Sequence, residues 1–502
     1  MYLRAGVFSL GLLLLSRVLG LVRESVQAAA FGSSGMGDVV IVMFTLPDLL
    51  VGIFLSGALA YVLLPHWARQ SAAGQNASQK KVANTLIAAG VLLGLVIWLL
   101  QDLLAQALAP GLKGDMRALG ASSLAWSAVV LPLAMLAALW MTRLQYECDF
   151  IGMYAGNLLV NLLLVAALLL VAAGLMDAGT TAGLGLFLLL AMLARLGWLG
   201  WRLRRDLAPV ASPAGRSVGT GLPKASVWIW AGLSSGLLLL LPLVGRSIAS
   251  QGGEGALASF NYAWKLVELP LVLAVQLVAS LAFPAITRTD AGSPEREKAL
   301  RLAFSLAWAL ACAAVAVVAT FSLPLAGLLF GWGRMGADKL EVIAQWSAIG
   351  VWSLLPQALI AVLLTVMAIS QRMHVAVWAY AAGLLALLVL GWAGAGEHGA
   401  AKGAAVMWML DAVLAGVALV LMVAERKSLR RTFPWLACLV PLLASLLLIS
   451  LKPLFVAPGV QLTMILCCVY GLLVVGSAVL ASPLLRGLLF ARLQRAGLFL
   501  QP

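Results

Sequence analysis

Residues 5–31 read AGVFSLGLLLLSRVLGLVRESVQAAAF. The run is long and apolar enough to cross a bilayer. It nevertheless carries two arginines, Arg17 and Arg23, and one acid, Glu24. An arginine at the centre of a span costs about 2.5–3.5 kcal/mol on insertion scales, so such residues as a rule face a polar cavity and meet an anion there. A lipid-facing helix tolerates this pair badly, whereas a cavity-lining helix accommodates it. The stretch also imitates a secretory leader, with Arg4 ahead of the apolar core and Ala28-Ala29-Ala30 behind it. In a cleaved leader the small residues follow the core closely. Here Arg17, Arg23 and Glu24 intervene, so the expectation is an uncleaved first helix.

The rest of the chain agrees with a membrane reading. Of 502 residues, 63% are hydrophobic and 10% charged, a balance foreign to water-soluble domains. The net charge of +14 would suggest nucleic acid in a soluble protein. In a membrane protein it is read loop by loop, and no nucleic-acid partner is expected. The five cysteines have neither metal-ligand spacing nor a disulfide framework. Apolar runs predict fourteen spans, near 5–30, 38–64, 82–108, 122–144, 152–174, 181–201, 225–249, 256–285, 300–328, 341–369, 374–394, 402–424, 434–451 and 460–484. With the N-terminus inside, most of the 33 basic residues fall in inside segments, Arg143 and Arg195 among them. Only seven fall outside: Lys113, Arg117, Arg246, Arg334, Lys339, Lys402 and Lys452. That bias places both termini in the cytoplasm.

The longest inside loop contains Pro209, Pro213 and Pro223. It suggests a first lobe at 1–205, a cytoplasmic linker at 206–224, a second lobe at 225–425 and two extra helices at 426–502. Gly90/Gly94 has the small-xxx-small spacing that lets helices approach closely.

Signatures of covalent chemistry are missing. His66, His374 and His398 form no zinc motif, and there is no nucleophile elbow or P-loop. No enzyme activity, metal or cofactor is expected. The informative residues are the intramembrane charges Arg17, Arg23, Glu24, Asp38, Asp48, Lys265 and Glu268, confined to the first, second and eighth spans. Asp411 is the main further acid inside a span. The plain alternative is a set of internal salt bridges, such as Arg23 with Asp38, or Lys265 with Glu268 at i,i+3. Pro47, Pro270 and Pro284 lie close to these charges, as in the broken helices that surround transporter sites.

The order Ser16-Arg17-Val18-Leu19-Gly20, Arg23-Glu24, Phe31-Gly32, Asp38, Leu46-Pro47-Asp48-Leu49-Leu50, Ile53-Phe54, Gly57-Ala58, Pro65 resembles the N-terminal signature of the MurJ (MviN) family. Members of that family are lipid II flippases of the multidrug/oligosaccharidyl-lipid/polysaccharide exporter superfamily. Tyr262 through Pro270 resembles the family's eighth-helix segment. The resemblance implies an all-α polytopic protein of about fourteen spans. It implies two six-helix lobes in a V around a cationic cavity, and two C-terminal helices that form a groove for a lipid tail. It implies an undecaprenyl-linked glycan as substrate and the bacterial inner membrane as the location. A substrate-binding set of Arg17, Arg23, Asp38, Lys265 and Glu268 follows from it, with guanidinium groups suited to phosphate.

The chain departs from the family pattern at the tenth-helix end, Met367 through Met373, and at three single positions. Gly52 and Lys265 stand where the family usually has Arg, and Ser56 where it usually has Glu. The expected function is translocation of lipid II by alternating access, by a monomer, with the coupling ion open. The alternatives are a flippase for another polyprenyl-linked oligosaccharide and a non-transporting scaffold.

Overall fold

A computed structural model describes residues 2–54, 59–205, 222–272, 278, 293–370, 372–393, 399–452 and 459–487. Ser56, Gly57, Ala58, Pro284, His398 and most of the linker lie outside these. The described residues are helical, with no β-strand among them. In chain order the helices are α1 (Tyr2–Phe31), α2 (Gly35–Ile53), α3 (Leu59–Trp67), α4 (Ala72–Leu99), α5 (Gln101–Leu108), α6 (Gly114–Tyr146), α7 (Phe150–Ala172), α8 (Ala182–Arg205), α9 (Ala225–Ser250) and α10 (Ala256–Pro270). They continue as α11 (Pro294–Phe330), α12 (Ala337–Gly350), α13 (Leu354–Ile369), α14 (Met373–Ala393), α15 (Ala400–Ala424), α16 (Arg426–Thr432), α17 (Trp435–Ser450) and α18 (Val460–Ala481).

Among the described residues ten helices are long and apolar enough to cross a membrane, and two bent pairs bring the number to twelve. The two remaining predicted spans are 5–30, which is the single 30-residue helix α1, and 256–285, of which Ala256–Pro270 is helical. The predicted fourteen is consistent with this inventory. The chain is therefore an all-helical, multi-pass membrane protein.

Local chemistry sets the helix ends. Ser34 is the N-cap of α2, its Oγ accepting from Gly37 N at 3.2 Å. Gly32 sits between α1 and that cap at φ +62, and a Cβ there would come within 2.7 Å of the Arg334 carbonyl oxygen, so only glycine fits. Pro47 lies inside α2 and has no N–H for the carbonyl one turn earlier, that of Met43. Ser127 on α6 supplies the missing donor, its Oγ bonding Met43 O.

Contacts group the chain into two compact units. The first is Met1–Ser259 with Trp332–Gly336, and the second is Phe260–Gly331 with Ala337–Pro502. In the first, α1 packs on α7, α2 on α6, and α7 on α8. Val26, Phe31, Val40, Met43, Phe44, Leu164 and Leu168 are among its core residues. Helices α4 and α6 meet where Gly94 leaves room for the Ala128 carbonyl, which would lie 2.6 Å from a Cβ. In the second unit α11 packs against α17 and α18 through Cys312, Ala316, Phe321, Leu448, Tyr470 and Val474. Phe321 leaves helical geometry (φ −108, ψ 26) three residues before Pro324, where proline disrupts the bonding of the preceding turn. The described cysteines are all free.

This grouping is a different partition from the lobes drawn on the sequence. It places α9 with the first unit, where Ala231 packs beside Val62 and Ser250 Oγ accepts from Gly111 N at 3.1 Å.

Candidate functional site: charges within the spans

In the first unit Arg23 and Glu24 of α1 and Asp48 of α2 form one cluster. Arg23 Nη2 donates to Glu24 Oε1 at 3.0 Å and to Asp48 Oδ2 at 3.1 Å. Its guanidinium carbon lies 5.7 Å from the centre of the Phe44 ring, a cation–π contact. The Arg23 side chain is 12% exposed, whereas that of Asp48 is 53% exposed. Arg23 Nε is buried without a hydrogen-bond partner among the described residues. The pair of Arg23 with Asp38 considered from the sequence is not formed.

Arg17 is placed differently. It is exposed and has no hydrogen bond or ion pair among the described residues. Leu14 and Val18 are exposed beside it, and Tyr154 on α7 is within its electrostatic reach. An uncommitted guanidinium on an apolar helix carries the full cost of intramembrane charge unless water or an anion meets it.

Asp38 is fully buried. Its Oδ2 accepts from Gly255 N and its Oδ1 from Ala258 N, both at 2.7 Å. These N–H groups open α10 and have no partner inside the helix. The carboxylate of α2 thus caps α10, where the helix dipole favours a negative charge.

In the second unit Lys265 Nζ donates to Glu268 Oε2 at 2.8 Å, one turn apart on α10. Both side chains are partly exposed, at 27% and 34%. Trp264 stacks on Phe260 one turn earlier, with ring centres 6.4 Å apart and planes within 7°.

The structure adds residues that sequence reasoning placed elsewhere. Arg195, assigned to an inside segment, lies well inside α8 and is 2% exposed. Its Nη2 donates to Met141 Sδ, and its Nε has no partner among the described residues. Arg143, also assigned to an inside segment, is 4% exposed in α6 and pairs with Glu147 at 2.7 Å. It packs 5.3 Å from the Trp67 ring and 5.4 Å from that of Tyr146. The signal that could have found Arg195 was its position within an apolar run of spanning length. In the second unit Asp411 has both carboxyl oxygens buried and without a hydrogen bond among the described residues.

Among the described residues no group of three His, Cys, Asp or Glu side chains could hold a metal. The charged groups suit binding of an anion. Arg17 is free to engage one, and Arg23 is oriented by an acid that solvent can reach.

The model of a family described as "Lipid II flippase MurJ" matches residues 27–468. A protein of Rhizobium tropici described as a probable lipid II flippase MurJ is 26% identical over 353 residues, covering 66% of this chain and 64% of the relative. The chain thus spans just under two thirds of that relative's length. A Burkholderia cenocepacia protein described as lipid II flippase MurJ is 25% identical over 350 residues, covering 67% of each chain. A solved structure of lipid II flippase MurJ in an inward closed conformation shares the fold, with a TM-score of 0.77 at 14% identity, over 93% of this chain and 97% of that one. An inward-facing multidrug transporter of the MATE family gives 0.58 at 15% identity, over 88% and 96%.

Proposed function

The chain belongs to the MurJ family of lipid II flippases, and from that premise we propose that it moves lipid II across the bacterial inner membrane. The observation that carries this reading is Arg17, an exposed and uncommitted cation in an apolar span, on the same helix as the partly shielded Arg23. A pyrophosphate headgroup supplies the anion that such a pair calls for, and guanidinium binds phosphate with two parallel bonds.

In this reading Arg17 and Arg23 hold the pyrophosphate. Asp38 supports the site as the cap of α10 rather than by touching substrate. The headgroup is bound on the cytoplasmic side and released on the other, by exchange between two states. The helices α17 and α18 contain no charged residue and expose Leu439, Leu443, Leu447, Ile465 and Leu473, a surface for the polyprenyl tail. Both termini are cytoplasmic, the protein acts as a monomer, and no covalent step or resident cofactor is involved.

The test is binding to purified protein of lipid II and of an undecaprenyl-pyrophosphate carrying a different glycan. Tighter binding of lipid II, lost in Arg17→Ala, supports the reading. Equal binding of both lipids, unaffected by Arg17→Ala, overturns it.

A further inference from the structure

A second cationic feature lies in the second unit, away from the charges of α1, α2 and α10 in sequence and independent of the transport reading. Helix α15 ends at Ala424, and the chain turns through Glu425 into the short helix α16. The axis then bends by 79° into α17. With α17 crossing the bilayer, α16 runs close to the membrane plane. Its sides are sorted for that position. Leu429 and Thr432 are buried, while Arg426, Lys427, Arg430 and Arg431 are exposed. At the start of α17, Trp435 and Leu436 are 69% and 70% exposed. Phe433 locks this corner, packing edge-on against Phe304 at 5.5 Å and Trp435 at 4.6 Å.

Beside α16 lies a cavity of ≈ 720 Å³, whose walls include Ser370, Arg372, Glu425, Arg426 and Lys427. Glu425 is its one acid, and it is occupied. Its Oε1 accepts from Arg372 Nη1 at 3.2 Å and from Ser370 Oγ at 3.4 Å. Arg372 Nη1 also donates to Ala424 O at 2.8 Å, closing the end of α15. Arg426 and Lys427 have neither hydrogen bond nor ion pair among the described residues. The cavity therefore presents two uncommitted cations at the level where an in-plane helix meets headgroups. Aromatic and basic residues together mark that level, and basic pockets between spans there take anionic lipid headgroups.

We propose that the α15–α16 junction binds the phosphate of an anionic phospholipid, with Arg426 and Lys427 holding one headgroup in the cavity and Arg430 and Arg431 attracting its neighbours. A lipid is favoured over a soluble phosphate by the exposed apolar residues beside the cations, Val423 and Leu436, against which an acyl chain can lie.

The experiment is a native mass-spectrometric titration of the full-length protein, released from detergent, with phosphatidylglycerol and with phosphatidylcholine. We expect phosphatidylglycerol to be retained about tenfold more strongly. The variant R426Q/K427Q/R430Q/R431Q should lose that preference, and R426K/R430K/R431K, which keeps every charge, should retain it. Millimolar inorganic phosphate should not displace the lipid. An undiminished preference in the glutamine variant overturns the proposal. So does displacement by inorganic phosphate, which would make this a site for a soluble anion. Should the fourfold variant unfold, R426Q/K427Q alone decides, since both residues are exposed and bond nothing that the fold needs.

Discussion

Arg23 and Asp48 stand 3.1 Å apart and tie α1 to α2, with the arginine largely shielded and the acid half open to solvent. Glu24 holds the same guanidinium nitrogen from a buried position. An anion approaching Arg23 would therefore compete with the open Asp48 before the buried Glu24.

The first prediction follows from that competition. Exposed ion pairs contribute about 0.2–1 kcal/mol, so Asp48→Asn should tighten binding of undecaprenyl pyrophosphate by up to about fivefold. Arg23→Ala should abolish binding, and Arg23→Lys should keep part of it, because charge is required and the fork geometry helps. Binding by purified protein measures both, and weaker binding in Asp48→Asn would show that the acid is not a competitor.

Arg17 should behave unlike Arg23 in stability. It bonds nothing among the described residues, so Arg17→Ala should change unfolding free energy by no more than about 0.5 kcal/mol while removing transport. Arg23→Ala removes the shielded guanidinium that bonds Glu24 and Asp48, and breaking a buried pair costs about 3–5 kcal/mol. Thermal unfolding in detergent compares the two. A large loss of stability in Arg17→Ala would mean that this side chain supports the fold.

Asp38 should act as a cap. Its two bonds to backbone N–H groups are charge-assisted, each contributing about 1.5–3 kcal/mol. Asp38→Ala should therefore destabilise the protein by at least about 3 kcal/mol, and Asp38→Asn by less, since an amide keeps one acceptor. Chemical denaturation reads this. A fully stable Asp38→Ala protein that no longer binds substrate would make Asp38 a ligand contact instead.

The helices were legible in the sequence because runs of about twenty apolar residues admit few other structures. The pair Lys265–Glu268 was legible too, since i,i+3 neighbours on one helix must meet. The partner of Arg23 was not. Asp38 lies in the first turn of α2 and Asp48 towards its other end, and only the packed helices decide which one meets Arg23. Asp38's true partners, Gly255 and Ala258, are 217 and 220 residues away, a cap that no local pattern announces. Arg195 was hidden by loop counting, which credits a basic residue near the end of an apolar run to the loop. Burial among α6, α7 and α8, where Met141 accepts from it, is visible only once the helices are packed.

Membrane orientation has its own check. A cysteine at Asp115, exposed at the start of α6, should react with a membrane-impermeant reagent added outside intact cells. A cysteine at Lys81, exposed on α4, should react only after permeabilisation. The motive is the excess of basic residues assigned inside, and outside labelling at position 81 would reverse the orientation.

The final prediction concerns Gly52, where the family usually has arginine. Gly52 lies one turn after Asp48 on α2, so an arginine there would be an i,i+4 neighbour of that acid. It would then draw Asp48 away from Arg23 and free Arg23 for phosphate. Space is the opposing factor, since a Cβ at position 52 would lie 3.1 Å from Leu239 Cδ1 on α9. Leucine methyl groups can move by a few tenths of an ångström, and a long side chain can carry its charge outward. Gly52→Arg together with Lys265→Arg should therefore support growth at least as well as the native chain in cells depleted of their own lipid II flippase, at matched membrane levels. Adding Asp48→Asn to that variant should bring no further gain, because Arg23 is already released from its acid. Growth that the native chain supports and the double variant does not would show that the substrate's headgroup excludes the added arginines.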